Sequence, residues 1–423
     1  MKVLIINAHS SKNKGDAAII ISMIQSIRKF NADATITIAS RYPMDDDLYL
    51  SYGCNVVEQI TRFPDKKHSK LKRLALIIRD LMDARKFVSQ GKIPETRQAE
   101  AFNAYQSADI IVSCGGGFIY SHSPIIEASL IMHLAQIFFA KKLNKKVITY
   151  AQSIGPFHSG FSKYVTRKVL NEVDVITVRE ELSQLFLRNI GVHNTKMVGD
   201  SAFVIETDHI KIDQLLDLDK SRPNVGVTVR QWTFPNQVEP EKKYKQYIQA
   251  VVDSIEFLVH EKQATVYLVP QVTGPTPIED DRIGSQHVWN LLSQETKKQV
   301  RLLTTDYSPI ELKAIYSNFD MFVGTRMHSN IFSLSSHVPT VAISYEPKTT
   351  GIMKMLGLSQ YVCEINSITS SELVEKCDLA WKQLSSYRSE LEAIIPEIKV
   401  KAEEPARIIR QLTASSKNEV MVS

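Results

Sequence analysis

Cysteine is scarce in this chain. Its four residues, Cys54, Cys114, Cys363 and Cys377, lie far apart with no CxxC spacing. That favours reduced thiols, acting as small buried fillers in a cytosolic protein, over a disulfide framework. Long apolar runs are also missing. The longest tract, Ile125 to Ala140, is interrupted by Glu127, His133 and Gln136, so it is not the stretch of about 20 apolar residues that a membrane span needs. The opening MKVLIINAHSS holds too short an apolar run for a signal-peptide core and reads as a first strand. Strong net charge is absent too: the formal balance is +5 over 423 residues, with no basic stripe interleaved with stacking aromatics. Nucleic acid is therefore not an expected partner. The eleven histidines form no HExxH or comparable ligand spacing, so no catalytic metal is expected. CGGGF lacks the GxGxxG spacing and the partner acid of a dinucleotide site, which argues against NAD.

What is present is a globular composition, 43% hydrophobic and 23% charged, in a chain too long for one core. Only the residues around KNEVMVS look like tail. Short β-rich runs alternate with helical patterns: KVLIINA and then 17–30, ATITIAS, ADIIVSC and then 125–143, KVITYAQ and then 161–171, DVITVR and then 180–189. After about residue 205 the rhythm pauses through ETDHIKIDQLLDLDKSRPN. It resumes with NVGVTVR, a helix over 241–262, ATVYLVPQ, a helix near 286–293, VRLLTT, a helix over 309–317, FDMFVGT and PTVAISY. Alternation of this kind predicts parallel strands joined by crossover helices. The expected fold is thus α/β, two Rossmann-like doubly wound domains facing across a cleft. The boundary falls within 203–223, giving 1–205 as the N-terminal domain and 206–423 as the C-terminal one. The helical stretch from 370 to about 412 packs either on the second domain, with which it is grouped here, or back on the first.

In such sheets ligands sit beyond the carboxyl ends of the strands. Glycines and charged groups concentrate there: NAHSSKNKGDAA after the first strand, then CGGGFIYSHS, AQSIGPF and Arg179, and in the second half Arg230, PQVTGPTPIEDD, GTRMH and SYEPK. If FDMFV ends at Gly324 and a helix begins near Met327, the free amides of its first turn lie beside Arg326 and His328. Lys348 follows the next strand, so three cations and helix amides form a candidate anion site. The plainer alternative pairs Arg326 with an acid and makes His328 a satisfied core histidine. Asp16, at the mouth of the first crossover helix, reads as an N-cap or as a hydroxyl-binding carboxylate. The glycines of CGGGF suit a tight turn or close approach to substrate. The acidic triplet Asp45, Asp46 and Asp47 reads as solvated loop.

Residues 66–92, KKHSKLKRLALIIRDLMDARKFVSQGK, set Leu71, Leu74, Ile78, Leu81 and Val88 at near-helical spacing among many cations. A basic amphipathic helix of this type suits peripheral contact with an anionic membrane. The other reading packs it on its own domain with solvated charges.

Taken in order, NKGDAAI, SCGGGF, YAQSIGPF, ITVREELS, VGDSAF, VTVRQW and VGTRMHSNIFSLSSHVPTVAISYEPKTTGIM resemble the polysaccharide pyruvyl transferases from Met1 to about Leu358. The resemblance implies a two-domain fold like that of B-type glycosyltransferases (GT-B-like). It implies transfer of a pyruvyl group from phosphoenolpyruvate to a sugar of a glycan or lipid-linked oligosaccharide, commonly as a cyclic ketal, with no cofactor beyond that co-substrate. By motif, Arg179, Arg326, His328, Lys348 and Arg230 are then donor-binding, with the donor site in the second domain. Asn13, Asp16, Gly115, Gly116, Gly117 and Gln152 fall on the acceptor side. His328 is the candidate acid, its ordinary pKa lying near neutrality, and Glu346 and Asp16 are the candidates for deprotonating the acceptor. VGDSAF departs from the family pattern in carrying Ser201 where proline often follows the aspartate. The implied location is cytoplasmic, at the inner face of the membrane if the basic helix engages it. Rival readings are a glycosyltransferase using a nucleotide sugar and a non-catalytic scaffold in a glycan-assembly complex.

Overall fold

The computed structural model describes residues 1–423 apart from 62–68, 94–97, 122–126, 208–209, 236, 275 and 423; for 45, 70 and 415–422 only the backbone is described. Residues 66–68 of the expected basic helix and 125–126 of the expected 125–143 helix thus lie outside the described residues.

By contact the chain forms two compact units. The first carries a parallel sheet of β1 (Lys2–Ala8), β2 (Thr35–Ser40), β3 (Asn55–Glu58), β4 (Ile110–Ser113), β5 (Gly116–Ile119), β6 (Lys146–Ile154), β7 (Val175–Val178) and β8 (Thr195–Met197). Their order is β3-β2-β1-β4-β6-β7-β8, with β5 pairing β6. The second holds β9 (Asn224–Val227), β10 (Thr265–Leu268), β11 (Val300–Leu302), β12 (Met321–Gly324), β13 (Thr340–Ser344) and β14 (Val362–Glu364), ordered β11-β10-β9-β12-β13-β14. Central strands such as IIVS, NVGV and MFVG are buried at every position, as expected of parallel strands covered on both faces. β-Branched side chains suit that surface and fix its alternation. Between strands, amphipathic helices bury one stripe each; Lys14–Phe30 buries Ile20, Ile24 and Ile27.

Sequence periodicity finds β1, β2, β4, β6 and β7 and all but one of the second sheet's strands. It does not find β3, β5, β8 or β14, each three or four residues long. At that length polar positions outweigh any period, and β5 begins with two glycines that read as loop. The contact grouping also differs from a single boundary at 205. The first unit comprises Met1–Ser11, Ile19–Val204 and Val400–Ser423, and the second comprises Lys12–Ala18 and Ile205–Lys399. On the returning segment Ala402, Ala406 and Ile409 are fully buried, while Glu403 and Glu404 pair with Lys29 at 2.5 Å and Lys196 at 2.6 Å.

A buried polar nest underlies the centre of the first sheet. Asn7, in left-handed backbone (φ +62°), ends β1 and donates to Ser113 Oγ at 3.1 Å. Its Oδ1 lies 3.1 Å from His133 Nδ1 and accepts from Gln136 Nε2 at 3.3 Å. Tyr105 donates to Gln136 at 3.0 Å. The two polar interruptions of the longest apolar tract, His133 and Gln136, therefore satisfy each other's neighbourhood inside the core, where unpaired polar groups would be costly. Asp46 corrects the expectation of a solvated acidic loop: it is fully buried, accepting the Ser11 amide at 2.8 Å and the Ser40 hydroxyl.

Burial lowers His133 from 6.5 to about 3, helped by the nearby Arg41 charge. Burial, then His133 and Arg41, also holds His9 well below its ordinary range. Both rings stay neutral in the fold but take up protons in the unfolded chain below pH 6.5. Their contribution is therefore complete above that pH and lost on acidification, by about 1.4 kcal/mol per pH unit for each ring. Urea midpoints followed from pH 7 down to about pH 5 should fall, and more steeply than in His133→Gln. An identical slope in the variant would remove His133 as the source.

Candidate functional site

In the second sheet the chain runs outward one way from β9 through β10 to β11, then returns to the middle at β12 and continues through β13 to β14. The reversal between β9 and β12 is the topological switch point at which open α/β sheets bind ligands. Arg230 follows β9 and Arg326 follows β12. The strand ends are stitched together: the Thr325 amide donates to Thr228 Oγ1 at 3.0 Å, and the Thr325 hydroxyl bonds the Thr228 carbonyl.

Arg326 is buried and holds Asp281, its Nη2 2.7 Å from Oδ1 and its Nε 3.1 Å from the same oxygen. The other Asp281 oxygen accepts the amides of Gln271 at 3.2 Å and Val272 at 3.0 Å. Burial pushes the Asp281 carboxyl up and Arg326 opposes that. A guanidinium and two amides donate to it, which favours its charged form. The plain alternative for Arg326, pairing with an acid, is thus what the structure displays.

Arg230 stands differently. It makes no ion pair among the described residues, and its Nε is buried without a hydrogen-bond partner. Its guanidinium carbon lies 4.0 Å from the Tyr345 ring centre and 4.7 Å from that of Trp232. Aromatic faces stabilise such a cation by about 0.5–2 kcal/mol but do not neutralise it. Burial and then repulsion from Arg326 lower its pKa; Tyr345, Glu346 and Asp281 act the other way. Two guanidiniums therefore share one buried carboxylate, leaving the strand ends electropositive.

His328 is the second residue of the helix Met327–Ser335, which begins where the sequence places it, and its ring is half-buried. Gly15 belongs by contact to the same unit, and a Cβ built on it would stand 2.2 Å from His328 Nδ1. Only a residue without a side chain lets the backbone come so close. Beside it, Lys14 pairs with Asp306 at 3.0 Å. Asn13, not Asp16, caps the helix Lys14–Phe30: its Oδ1 accepts the amide of Gly15 at 3.1 Å, and its carbonyl accepts that of Ala17. The Asp16 side chain is thus not the cap; the residue is half-buried in the first turn. After β13, Glu346 is exposed at the N-cap position of the helix Pro347–Met355 without a side-chain capping bond, and Lys348 is half-buried in its first turn.

The remaining sequence-identified residues belong to the first unit. Arg179 is buried and engaged, 2.6 Å from Asp200 and 2.8 Å from the Ser153 hydroxyl. Gly115 and Gly116 serve packing and conformation. A Cβ on the first would meet the Tyr150 carbonyl at 2.7 Å, and the second sits at φ +113°. Gly117 is half-buried in β5. Gln152 is fully buried on β6, its Oε1 accepting from Ser113 at 3.4 Å and its Nε2 without a partner. Sequence reasoning missed His9, stacked flat on Phe118 at 3.6 Å just beyond β1. It also missed Asp281, Trp232 and Tyr345. Asp281 follows Asp280, which takes the capping role on the helix Asp281–Leu291 by accepting the Arg282 amide at 3.0 Å. An acid pair at a helix start was the available signal. Among the described residues no three His, Cys, Asp or Glu side chains are grouped to hold a metal ion.

The whole-chain fold is similar to a putative UDP-N-acetylglucosamine 2-epimerase from Listeria monocytogenes (TM-score 0.61, 11% identity, 99% of this chain and 97% of that one). It is also similar to the UDP-GlcNAc 2-epimerase of Methanocaldococcus jannaschii (TM-score 0.59, 11% identity, 97% and 100%) and the glycosyltransferase SnogD of Streptomyces nogalater (TM-score 0.54, 13% identity, 98% and 99%). At such identities the likeness establishes a GT-B-like fold alone. In sequence, the amylovoran biosynthesis protein AmsJ of Erwinia amylovora is 25% identical over 401 residues, covering 89% of this chain and 91% of that protein. Residues 13–347 match the family model described as polysaccharide pyruvyl transferase. With that match running through both units and taking in GTRMH, the chain belongs to the polysaccharide pyruvyl transferase family.

Proposed function

We propose that the protein transfers the pyruvyl group of phosphoenolpyruvate to a sugar of a glycan or lipid-linked oligosaccharide, closing a cyclic ketal during exopolysaccharide synthesis. The observation that carries this reading is the charge at β9 and β12: Arg326 is engaged by the buried Asp281, while Arg230 makes no ion pair among the described residues and is opposed only through space by exposed Glu346 and by Asp281. A small ligand bearing carboxylate and phosphate supplies the missing negative charge. Lys348 and the first-turn amides of Met327–Ser335 add cationic and hydrogen-bonding capacity nearby in the chain. The family membership and the name of AmsJ support the substrate class. Four free, buried thiols fit a cytoplasmic reaction.

In this scheme His328 protonates the methylene carbon of the enol ether, making C2 oxocarbenium-like. A sugar hydroxyl adds to C2 as Glu346 or Asp16 takes its proton, and the C2–O bond to phosphate breaks. A second hydroxyl then adds to C2 and loses its proton, so the products are a ketal and inorganic phosphate. Arg230 binds the donor anion, with Arg326 held in place by Asp281. Arg179 acts by supporting its own loop through Asp200 and Ser153, since its guanidinium is already engaged. On the acceptor side, Asn13, Gly115, Gly116 and Gly117 shape backbone, and Gln152 offers an amide.

Purified protein given phosphoenolpyruvate and glycan or lipid-linked acceptors should release phosphate and add the mass of a pyruvyl ketal. A hexosyl increment from nucleotide sugars instead would select the glycosyltransferase reading. Arg230→Gln should weaken phosphoenolpyruvate binding by calorimetry about 10- to 100-fold, in line with charged hydrogen bonds of about 1.5–3 kcal/mol, with little change in thermal stability. Unaltered affinity would take Arg230 out of the site. His328→Gln should bind donor normally while turnover drops about 100-fold or more. Gly15→Ala offers an independent check: the helix gain of about 1 kcal/mol from alanine is offset by a crowding cost of about 1–3 kcal/mol, so stability should fall by no more than about 2 kcal/mol. The added methyl must displace the His328 ring, so turnover should fall. Full turnover in either variant would remove His328 as the acid.

A further inference from the structure

The helix Lys70–Gln90 leaves an apolar stripe uncovered. Leu71, Leu74, Ile78, Leu81, Met82 and Val88 are all exposed, Leu71 at 81% and Leu74 and Met82 at 54%. At about 100° per residue these six fall within an arc of about 120°. Asp80, Ala84 and Phe87, on the other side of the helix, are buried. The helix is thus anchored by one face and presents a second hydrophobic face outward. It is capped at both ends, by the Ser69 side chain on the Lys72 amide and by Gly91 in left-handed backbone. At about 1.5 Å per residue its 21 residues make a rod of about 30 Å.

Charge decides what that face fits. The helix holds six lysines and arginines against two aspartates, one of them the buried Asp80, which accepts Gln98 Nε2 at 3.2 Å. Lys72, Arg79 and Lys86 are exposed and spaced by seven, forming a row along one edge of the stripe, and exposed Arg85 lies within it. An apolar face bordered by cations complements a surface that is apolar below and anionic above, which is the interface of a bilayer containing acidic lipid. The packing of Asp80 and Phe87 into the first unit keeps the helix in the plane of such a surface. Among the described residues no helix is long and apolar enough to cross a membrane.

We infer that the exposed face of Lys70–Gln90 docks the protein on the anionic surface of a membrane, leucine and methionine side chains entering between headgroups while Lys72, Arg79, Arg85 and Lys86 meet lipid phosphates. This is independent of the pyruvyl reading and is tested without activity. The full chain is floated with vesicles of equal parts phosphatidylglycerol and phosphatidylcholine, and with phosphatidylcholine alone. Recovery with the acidic vesicles should exceed that with neutral ones about tenfold or more and decline with added salt. The triple variants Leu74→Gln/Ile78→Gln/Met82→Gln and Lys72→Glu/Arg85→Glu/Lys86→Glu should each lose it while keeping the far-ultraviolet spectrum and melting temperature. In a separate variant, Leu74→Trp, fluorescence should shift to the blue only with acidic vesicles. Equal recovery on neutral lipid, an unmoved tryptophan, or a lipid-free dimer that the glutamine variant dissolves would overturn the inference, the last by assigning the face to a second copy of the chain.

Discussion

The Asp281 carboxylate, fully buried at the start of a helix and facing the Arg326 guanidinium while Arg230 lies close enough to repel Arg326, sets the electrostatic character of the second unit. Without Asp281 the Arg326 charge would be buried and unpaired, at a cost of about 3–5 kcal/mol. Exposed Glu346 also acts on Arg230, but the two form no ion pair among the described residues, so the Arg230 charge is left to meet an anion. The arrangement is possible because β10, β9 and β12 are neighbours, so the segments that follow them bring three residues from distant parts of the chain to one edge. Aromatic faces on Trp232 and Tyr345 hold Arg230 in place without cancelling its charge.

The two units solve the same geometric problem with different chemistry. Each sheet reverses direction near its middle, and each fills the space at the reversal with polar side chains. In the first unit these are mostly uncharged, the amides of Asn7, Gln136 and Gln152 and two histidine rings kept neutral by burial, with the Arg41 guanidinium nearby. In the second they are guanidiniums. Amides and neutral imidazoles suit hydroxyl groups, and a surplus of guanidinium suits carboxylate and phosphate.

How much of this the sequence disclosed follows from the range of each signal. The alternation of strands and helices is local, so the parallel sheets and the start of the helix at Met327 were legible. So were Arg326 and His328, two residues apart at a strand end. Their setting was not. Asp281 lies 45 positions from Arg326, and only the strand order brings them together. Asp46 looked like loop because its partners, Ser11 and Ser40, sit on separate segments. Arg179 looked like a ligand-binding cation for the same reason, its Asp200 being visible only as part of a turn motif. β3, β8 and β14 are partly polar and exposed, and β5 opens on two glycines, so no apolar run marks them.

The path of the final helix gives the chain an unusual order of assembly. Leu384–Val422 is continuous, yet it changes allegiance at Lys399 and Val400, so the first unit is closed by a segment synthesised after the whole of the second. Ala402, Ala406 and Ile409 are interior residues, and Glu403 and Glu404 neutralise lysines encoded hundreds of positions earlier. During translation the amino-terminal sheet must therefore wait, with part of its apolar surface uncovered, until the residues beyond Lys399 have been made. A premature stop near codon 400 would wound the half of the protein made first.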